Sequence, residues 1–218
     1  MAAKTWAAVD DYLNELIVRP DAALAAATAA SKVAGLPEIA VSAPQGKLLN
    51  LLARMMGARR ILEIGVLGGY STIWLARALP PEGRLISLEY KQKHAEVARA
   101  NLAQAGLADV AEVRVGAGVD LLPTLTGPFD FFFIDADKEG YPDYFRGCLK
   151  LARPGSVMVF DNVVRDGKVI DAATSDTAVE GARQLHAAIA AEPRVSATSI
   201  QTVGSKGYDG FCMAIVNR

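Results

Sequence analysis

The sequence predicts an α/β protein: a doubly wound, mostly parallel sheet of seven strands, with an antiparallel last strand and helices at the N-terminal end. Three observations carry that expectation. From Arg60 onward, short apolar runs alternate with helix-length stretches, the pattern of repeated βα units. One run, Phe129 to Asp135, is apolar almost throughout, as strands covered on both faces of a parallel sheet are. The last two runs, Val195 to Val203 and Gly210 to Val216, are joined by the polar turn Gly204 to Asp209, a connection short enough to imply an antiparallel pair.

The elements follow in order. Thr5 to Ile17 and Asp21 to Lys32 read as helices split by Arg19-Pro20, and a third, Gln45 to Met56, opens at Ser42-Ala43-Pro44. Proline suits a helix start because its missing N–H costs nothing there. Strands are expected at Arg60 to Gly65, Arg84 to Glu89, Val110 to Val115, Phe129 to Asp135 and Ser156 to Asp161. Helices are expected between and after them, at Tyr70 to Ala78, Lys91 to Ala105, Val119 to Leu122, Tyr141 to Leu151 and Thr177 to Ala191. Gly106 supplies the usual stop for the helix before it. The chain reads as one domain, 1–218, with a helical extension at 1–57 and the sheet-bearing core at 58–218.

Composition narrows the function. Hydrophobic residues make up 51% and charged residues 22%, as in ordinary globular domains. The net charge of −1 gives no basic surface for nucleic acid. There is no apolar run long enough to cross a membrane, and Asp10 and Asp11 break what a signal peptide would keep apolar. Two cysteines, Cys148 and Cys212, suit a reducing compartment. The expectation is a cytoplasmic protein that binds neither nucleic acid nor membrane.

In a doubly wound sheet, ligands bind at the carboxyl ends of the strands. The first strand ends in Glu63-Ile64-Gly65-Val66-Leu67-Gly68-Gly69-Tyr70-Ser71 and runs straight into a helix. Glycines let such a backbone approach a ligand closely, and the helix start offers free N–H groups. The spacing is not that of a pyrophosphate loop, and a plain tight turn would also satisfy it. Glu89 ends the next strand, where a carboxylate can accept bonds from ribose hydroxyls or simply face solvent. Glu63 interrupts an apolar strand and needs a partner or a charged ligand group. A cofactor with a ribose, a cationic centre and no phosphate fits these parts, and S-adenosylmethionine is such a molecule.

The fourth strand ends Asp135-Ala136-Asp137-Lys138 and the fifth ends Asp161-Asn162. Two carboxylates and an amide make a hard oxygen set suited to Mg²⁺. Helix capping by Asp137 and a turn at Asp161-Asn162 are the simpler readings of the same residues. His94 and His186 fall in helices outside any Cys/His cluster, which disfavours zinc. They read as surface or packing residues.

Ser42-Ala43-Pro44-Gln45-Gly46, the Leu62-to-Ser71 segment, Asp135-Ala136-Asp137-Lys138 and Asp161-Asn162 together resemble the cation-dependent O-methyltransferases of the caffeoyl-CoA and catechol type. The resemblance runs from about Ile39 to Val216 and implies the Rossmann-like class I methyltransferase fold. It implies that Asp135, Asp161 and Asn162 hold Mg²⁺ (or Ca²⁺ or Mn²⁺), with Lys138 as general base beside Asp135. It implies cofactor contacts for Val41, Glu63, Gly65, Val66, Gly69, Ser71, Glu89, Gly118, Asp135 and Asp137. The implied reaction is methylation of one hydroxyl of a vicinal diphenol of catechol, caffeoyl or flavonoid type, by a homodimer. Tyr208 and Asp209 are candidates for acceptor contact, in an irregular segment where specificity tends to reside. The alternatives are an NAD-dependent oxidoreductase on a related sheet and a non-catalytic S-adenosylmethionine-binding module.

Overall fold

A computed structural model of the protein describes residues 2–217. Three helices come first: α1 (Ala2–Leu13), α2 (Ala22–Val33) and α3 (Ala43–Met55). Then follow β1 (Arg60–Ile64), α4 (Tyr70–Ala76), β2 (Arg84–Glu89), α5 (Gln92–Gln104), β3 (Ala111–Val115), α6 (Gly118–Leu121), β4 (Phe129–Ile134), α7 (Tyr141–Leu151) and β5 (Ala152–Asp161). The chain ends with α8 (Thr177–Ala190), β6 (Val195–Gly204) and β7 (Gly207–Val216).

The helix starts are set by local chemistry. Asp21 accepts the Leu24 N–H at 3.1 Å, and Ser42 accepts the Gln45 N–H at 3.4 Å with Pro44 in the first turn. Each satisfies a donor that the helix itself leaves unpaired. The first helix does not run smoothly to Ile17 as expected. It widens into a π-type turn over Asn14–Val18 and ends at Arg19, which is left-handed (φ 49°). The cause is Pro20, which disfavours helical backbone at the residue before it.

The sheet order is β3-β2-β1-β4-β5-β7-β6. Strands β1 to β5 pair in parallel, and β7 is antiparallel to both its neighbours, β5 and β6. The expected turn Gly204 to Asp209 shrinks to Ser205 and Lys206, because pairing continues to Gly204 opposite Gly207. Gly207, the first residue after the turn, has a positive φ (+98°), which glycine adopts without a side-chain penalty. Asp209 therefore lies within β7.

Both sheet faces are covered. Phe131 and Phe133 of β4 pack into a core shared with α2, α3, α4 and α5, including Leu24, Leu49 and Ile73. Phe132 and Ile134 pack into the opposite core with Tyr141, Phe145 and Leu185 from α7 and α8. The helical front thus joins one of the two cores.

One consequence of register positions the site. Leu88 pairs with Ile64, Ile64 with Ile134, and Ile134 with Phe160. Glu89, Gly65, Asp135 and Asp161 therefore come next, side by side, at the carboxyl ends of four adjacent parallel strands. At a strand spacing of about 4.8 Å this row is about 14 Å long.

Gly65 is the tight point of the row. Its φ is +92°, and a Cβ there would lie 2.2 Å from the Asp135 carbonyl oxygen. Gly65→Ala should therefore cost about 2 kcal/mol or more, since it combines a left-handed backbone with a backbone clash. Urea denaturation of the variant against the wild type measures that loss, and equal midpoints would contradict the close approach.

Candidate active site

The glycine-rich turn after β1 is organised from below and from the side. Glu63 is fully buried and faces Ser87 across the β1–β2 pair. Its carboxylate accepts the hydroxyls of Ser71 (2.5 Å), Thr72 (2.7 Å) and Ser87 (2.7 Å). Burial pushes this carboxyl up to about 7 against the pull of those three donors, and the charge of Asp135 adds to the rise. Glu63 thus anchors Ser71 at the start of α4.

Glu89 holds the turn itself. One of its oxygens accepts the N–H groups of Val66 (3.0 Å) and Leu67 (2.9 Å), and the other accepts that of Lys91 (2.9 Å). Leu67 is held left-handed (φ 52°), as is Gly69 (φ 83°) at the cap of α4. A carboxylate has about four lone-pair sites, so Glu89 keeps capacity for a ligand hydroxyl. His94, expected as a packing residue, brings Nδ1 within 3.4 Å of Glu89. Val41 is half-buried, just before α3, and packs against the core that includes α4. Gly118 opens α6 between Ile64 and Tyr144, where a Cβ would meet both below 3 Å.

The second half of the row carries the charges. Asp135 begins just past β4, its N–H bonded to the Ile64 carbonyl at 2.8 Å. Lys138, in the short 3-10 turn Lys138–Gly140, sends Nζ back to Asp135 at 2.7 Å and lies over the Tyr141 ring. Asp137 caps that turn through the Gly140 N–H and accepts the Tyr144 hydroxyl at 2.6 Å. The capping reading of Asp137 therefore holds, and its carboxylate is exposed at the same edge.

Asp161 is almost fully buried, and its carboxyl is pushed up to about 7, by burial first and by the Asp135 charge second. Lys138, the Asn162 N–H (2.8 Å) and the Gln45 side chain pull the other way. Asn162 follows in left-handed backbone (φ 54°). Tyr141 spans the two strand ends, donating its hydroxyl to the Asp161 carbonyl at 2.6 Å.

Among the described residues, no group of three or more His, Cys, Asp and Glu is placed to hold a metal. The set at this edge is instead two mutually repelling carboxylates with an amide next to one of them. That chemistry fits a hard cation which keeps several of its waters, and does not fit zinc.

Sequence reasoning missed Gln45, Tyr141, Tyr144, Thr72 and Ser87 as parts of the site. Ser87 was the most accessible of these, being the polar residue of an apolar strand paired with the polar residue of its neighbour. Asp209 was placed with the acceptor contacts. Its Oδ1 instead accepts three backbone N–H groups, from Val164 (3.0 Å), Arg165 (2.8 Å) and Gly210 (2.9 Å). Tyr208 bonds Gln201.

A model of the O-methyltransferase family matches residues 19–213. The chain belongs to that family. It is 50% identical to the catechol O-methyltransferase of Niastella koreensis over 99% of this chain and 100% of that one. It is 55% identical to the catechol O-methyltransferase of Mycobacterium tuberculosis, covering 95% and 94%. Among solved structures, TomG of Streptomyces achromogenes, an O-methyltransferase involved in tomaymycin synthesis and solved in complex with SAM, superposes with a TM-score of 0.97. The two are 53% identical, with both chains covered in full. Membership sets aside the oxidoreductase alternative for this methyltransferase.

The buried Glu63 gives the methyltransferase a pH signature. Its carboxyl has an ordinary pKa of 4.5 in the unfolded chain and about 7 in the fold. Between those values the unfolded chain loses a proton that the fold keeps, so this group weakens folding as pH rises, by up to roughly 3 kcal/mol. Glu63→Gln cannot ionise, so its stability relative to wild type should increase from pH 5 to pH 8. Denaturant titrations at both pH values test this, and a pH-independent difference would mean that Glu63 is ionised throughout.

Proposed function

We propose that the protein transfers the methyl group of S-adenosylmethionine to one hydroxyl of a vicinal diphenol, with a divalent cation held by Asp135, Asp161 and Asn162. The observation that carries this reading is the adjacency of Lys138, Asp135 and Asp161 on the same strand-end row as the Gly65 turn and Glu89. Kinship with two catechol O-methyltransferases supports the acceptor class, and the SAM-bound relative supports the donor.

The turn and Glu89 bind the adenosyl end, Glu89 with its one remaining lone-pair site available to a ribose hydroxyl. Ser71, clamped by Glu63, fixes the start of α4 beneath the donor. Asp135, Asp161 and Asn162 would hold the cation through their side-chain oxygens, and its positive charge would favour phenolate over phenol. In this reading Lys138, whose Nζ lies 2.7 Å from Asp135, is the base, its neutral amine taking the phenolic proton. The acceptor oxygen forms the new bond to the methyl carbon as the carbon–sulfur bond breaks, leaving S-adenosylhomocysteine. Positioning does much of this work, because the methyl group arrives already activated.

Homodimer formation is part of the same reading. Tyr12 and Ile17, on and just after the outer helix α1, are 62% and 69% exposed, which is apolar surface that a second copy would cover. The two free, buried cysteines support a reducing compartment such as the cytoplasm.

Treatment with EDTA should abolish methylation of catechol, and added Mg²⁺ should restore it; full turnover in EDTA would remove Asp135, Asp161 and Asn162 from metal binding. Lys138→Ala should lower kcat by about 10²- to 10⁴-fold at pH 7. The deficit should shrink toward pH 9, where a phenol of pKa about 10 ionises more readily unaided. A pH–rate profile parallel to wild type would take the proton transfer away from Lys138.

A further inference from the structure

Most arginines of this protein have partners. Arg59, Arg77, Arg114, Arg146, Arg153 and Arg194 form ion pairs with carboxylates. Arg60, Arg99 and Arg183 donate to backbone carbonyls. Arg165, like Arg19 and Arg54, makes no ion pair or side-chain hydrogen bond among the described residues, but it differs from them in that its Nε is sealed from solvent without a partner, in a side chain that is half-buried overall. A buried donor left unpaired is unfavourable, and more so when its group is charged.

The placement of Arg165 is built rather than incidental. It lies three residues past Asn162, with a left-handed backbone (φ 57°), and Asp166 after it is left-handed too (φ 55°). Such conformations are strained for residues with a side chain and persist only where the surroundings enforce them. Asp209 enforces this one, since its Oδ1 takes the Val164 and Arg165 N–H groups together. The Arg165 charge acts on the buried Tyr141 hydroxyl, which ties down the Asp161 carbonyl, and on Glu139 next to Lys138. Arg165 thus stands on the segment leaving β5 just past Asn162, next to the charged end of the strand-end row. Lys138, the other basic side chain there, is already committed to Asp135.

We propose that Arg165 is a specificity residue that pairs with a carboxylate carried on the acceptor ring, so that the enzyme prefers an anionic vicinal diphenol to its neutral counterpart. A guanidinium edge offers parallel N–H donors that match the two oxygens of a carboxylate. The proposal deepens the diphenol reading and rests on it for the ring.

The test compares kcat/KM for 3,4-dihydroxybenzoate and its methyl ester in wild type, Arg165→Ala and Arg165→Lys, with S-adenosylmethionine and Mg²⁺. Wild type should favour the acid by about 10-fold or more, as one charge-assisted pair supplies. That ratio should fall to near one in Arg165→Ala and lie between the two in Arg165→Lys, with the loss in KM for the acid rather than in kcat. An unchanged ratio across the three proteins, or a wild type that favours the ester, overturns the proposal. Calorimetric titration of the same acid and ester into protein loaded with S-adenosylhomocysteine separates the two readings. If no ortho-diphenol is turned over, the diphenol reading fails, and Arg165 is judged on binding alone. Acid binding that weakens at least several-fold in Arg165→Ala while S-adenosylhomocysteine affinity holds supports it, and equal acid binding by both proteins overturns it.

Discussion

Because β2, β1, β4 and β5 run parallel in one register, the residues just past Leu88, Ile64, Ile134 and Phe160 are forced to stand in line. Nothing else in the fold would bring Glu89, Gly65, Asp135 and Asp161 together, since long stretches of sequence separate them. A slip of one residue in any of these pairings would turn every side chain of that strand to the opposite face. The continuous burial of β4, with Phe131 and Phe133 in one core and Phe132 and Ile134 in the other, is what guards against such a slip. Packing of apolar side chains on both faces thus sets the spacing of polar ones at the edge.

The row also stores unfavourable electrostatics. Glu63 is buried among hydroxyls and not beside a cation, and Asp161 is buried close to another carboxylate. Both are poised near neutrality by burial, with the Asp135 charge contributing to each. Positive charge arriving at this edge, whether as a sulfonium or as a metal ion, would relieve the repulsion. Ligand binding and the ionisation of these acids are therefore coupled in sign: each favours the other. Left-handed backbone at Leu67 and Asn162 places local strain at the same two points, beside the turn and beside the second acidic cluster.

Much of this arrangement is written in short-range pattern. The apolar run of β4, the glycines at 65 and 69, the Asp-Ala-Asp-Lys end and the Asp161-Asn162 end are each visible locally, and the order of strands then follows from the rules for βα units. The missing parts are of another kind. Gln45 reaches Asp161 from the first turn of α3, and Asp209 reaches Val164 and Arg165 from β7. These are contacts between distant segments, and neither hydrophobic period nor turn chemistry encodes them. The hairpin shows the limit within a single unit: the polar composition of Gly204 to Asp209 reads as loop, but backbone pairing continues through most of it. At α1 the miss is different, for Pro20 was seen as a break while its effect on the preceding turn was not.

Under the proposed function, acceptor specificity would depend on how firmly the segment after β5 is held. On one side Asp209 gathers the backbone of Val164 and Arg165. On the other, Arg183 of α8 donates to the carbonyls of Lys168, Val169 and Asp171. A segment fastened at both ends to regular elements is held in place, because opening it would break several hydrogen bonds at once. Under the proposed function, discrimination among acceptors by this segment would come from the side chains it displays rather than from its motion. Under the same proposal, substitutions at Arg165 or Asp166 would change what is recognised, whereas substitutions at Asp209 or Arg183 would loosen the segment that presents them.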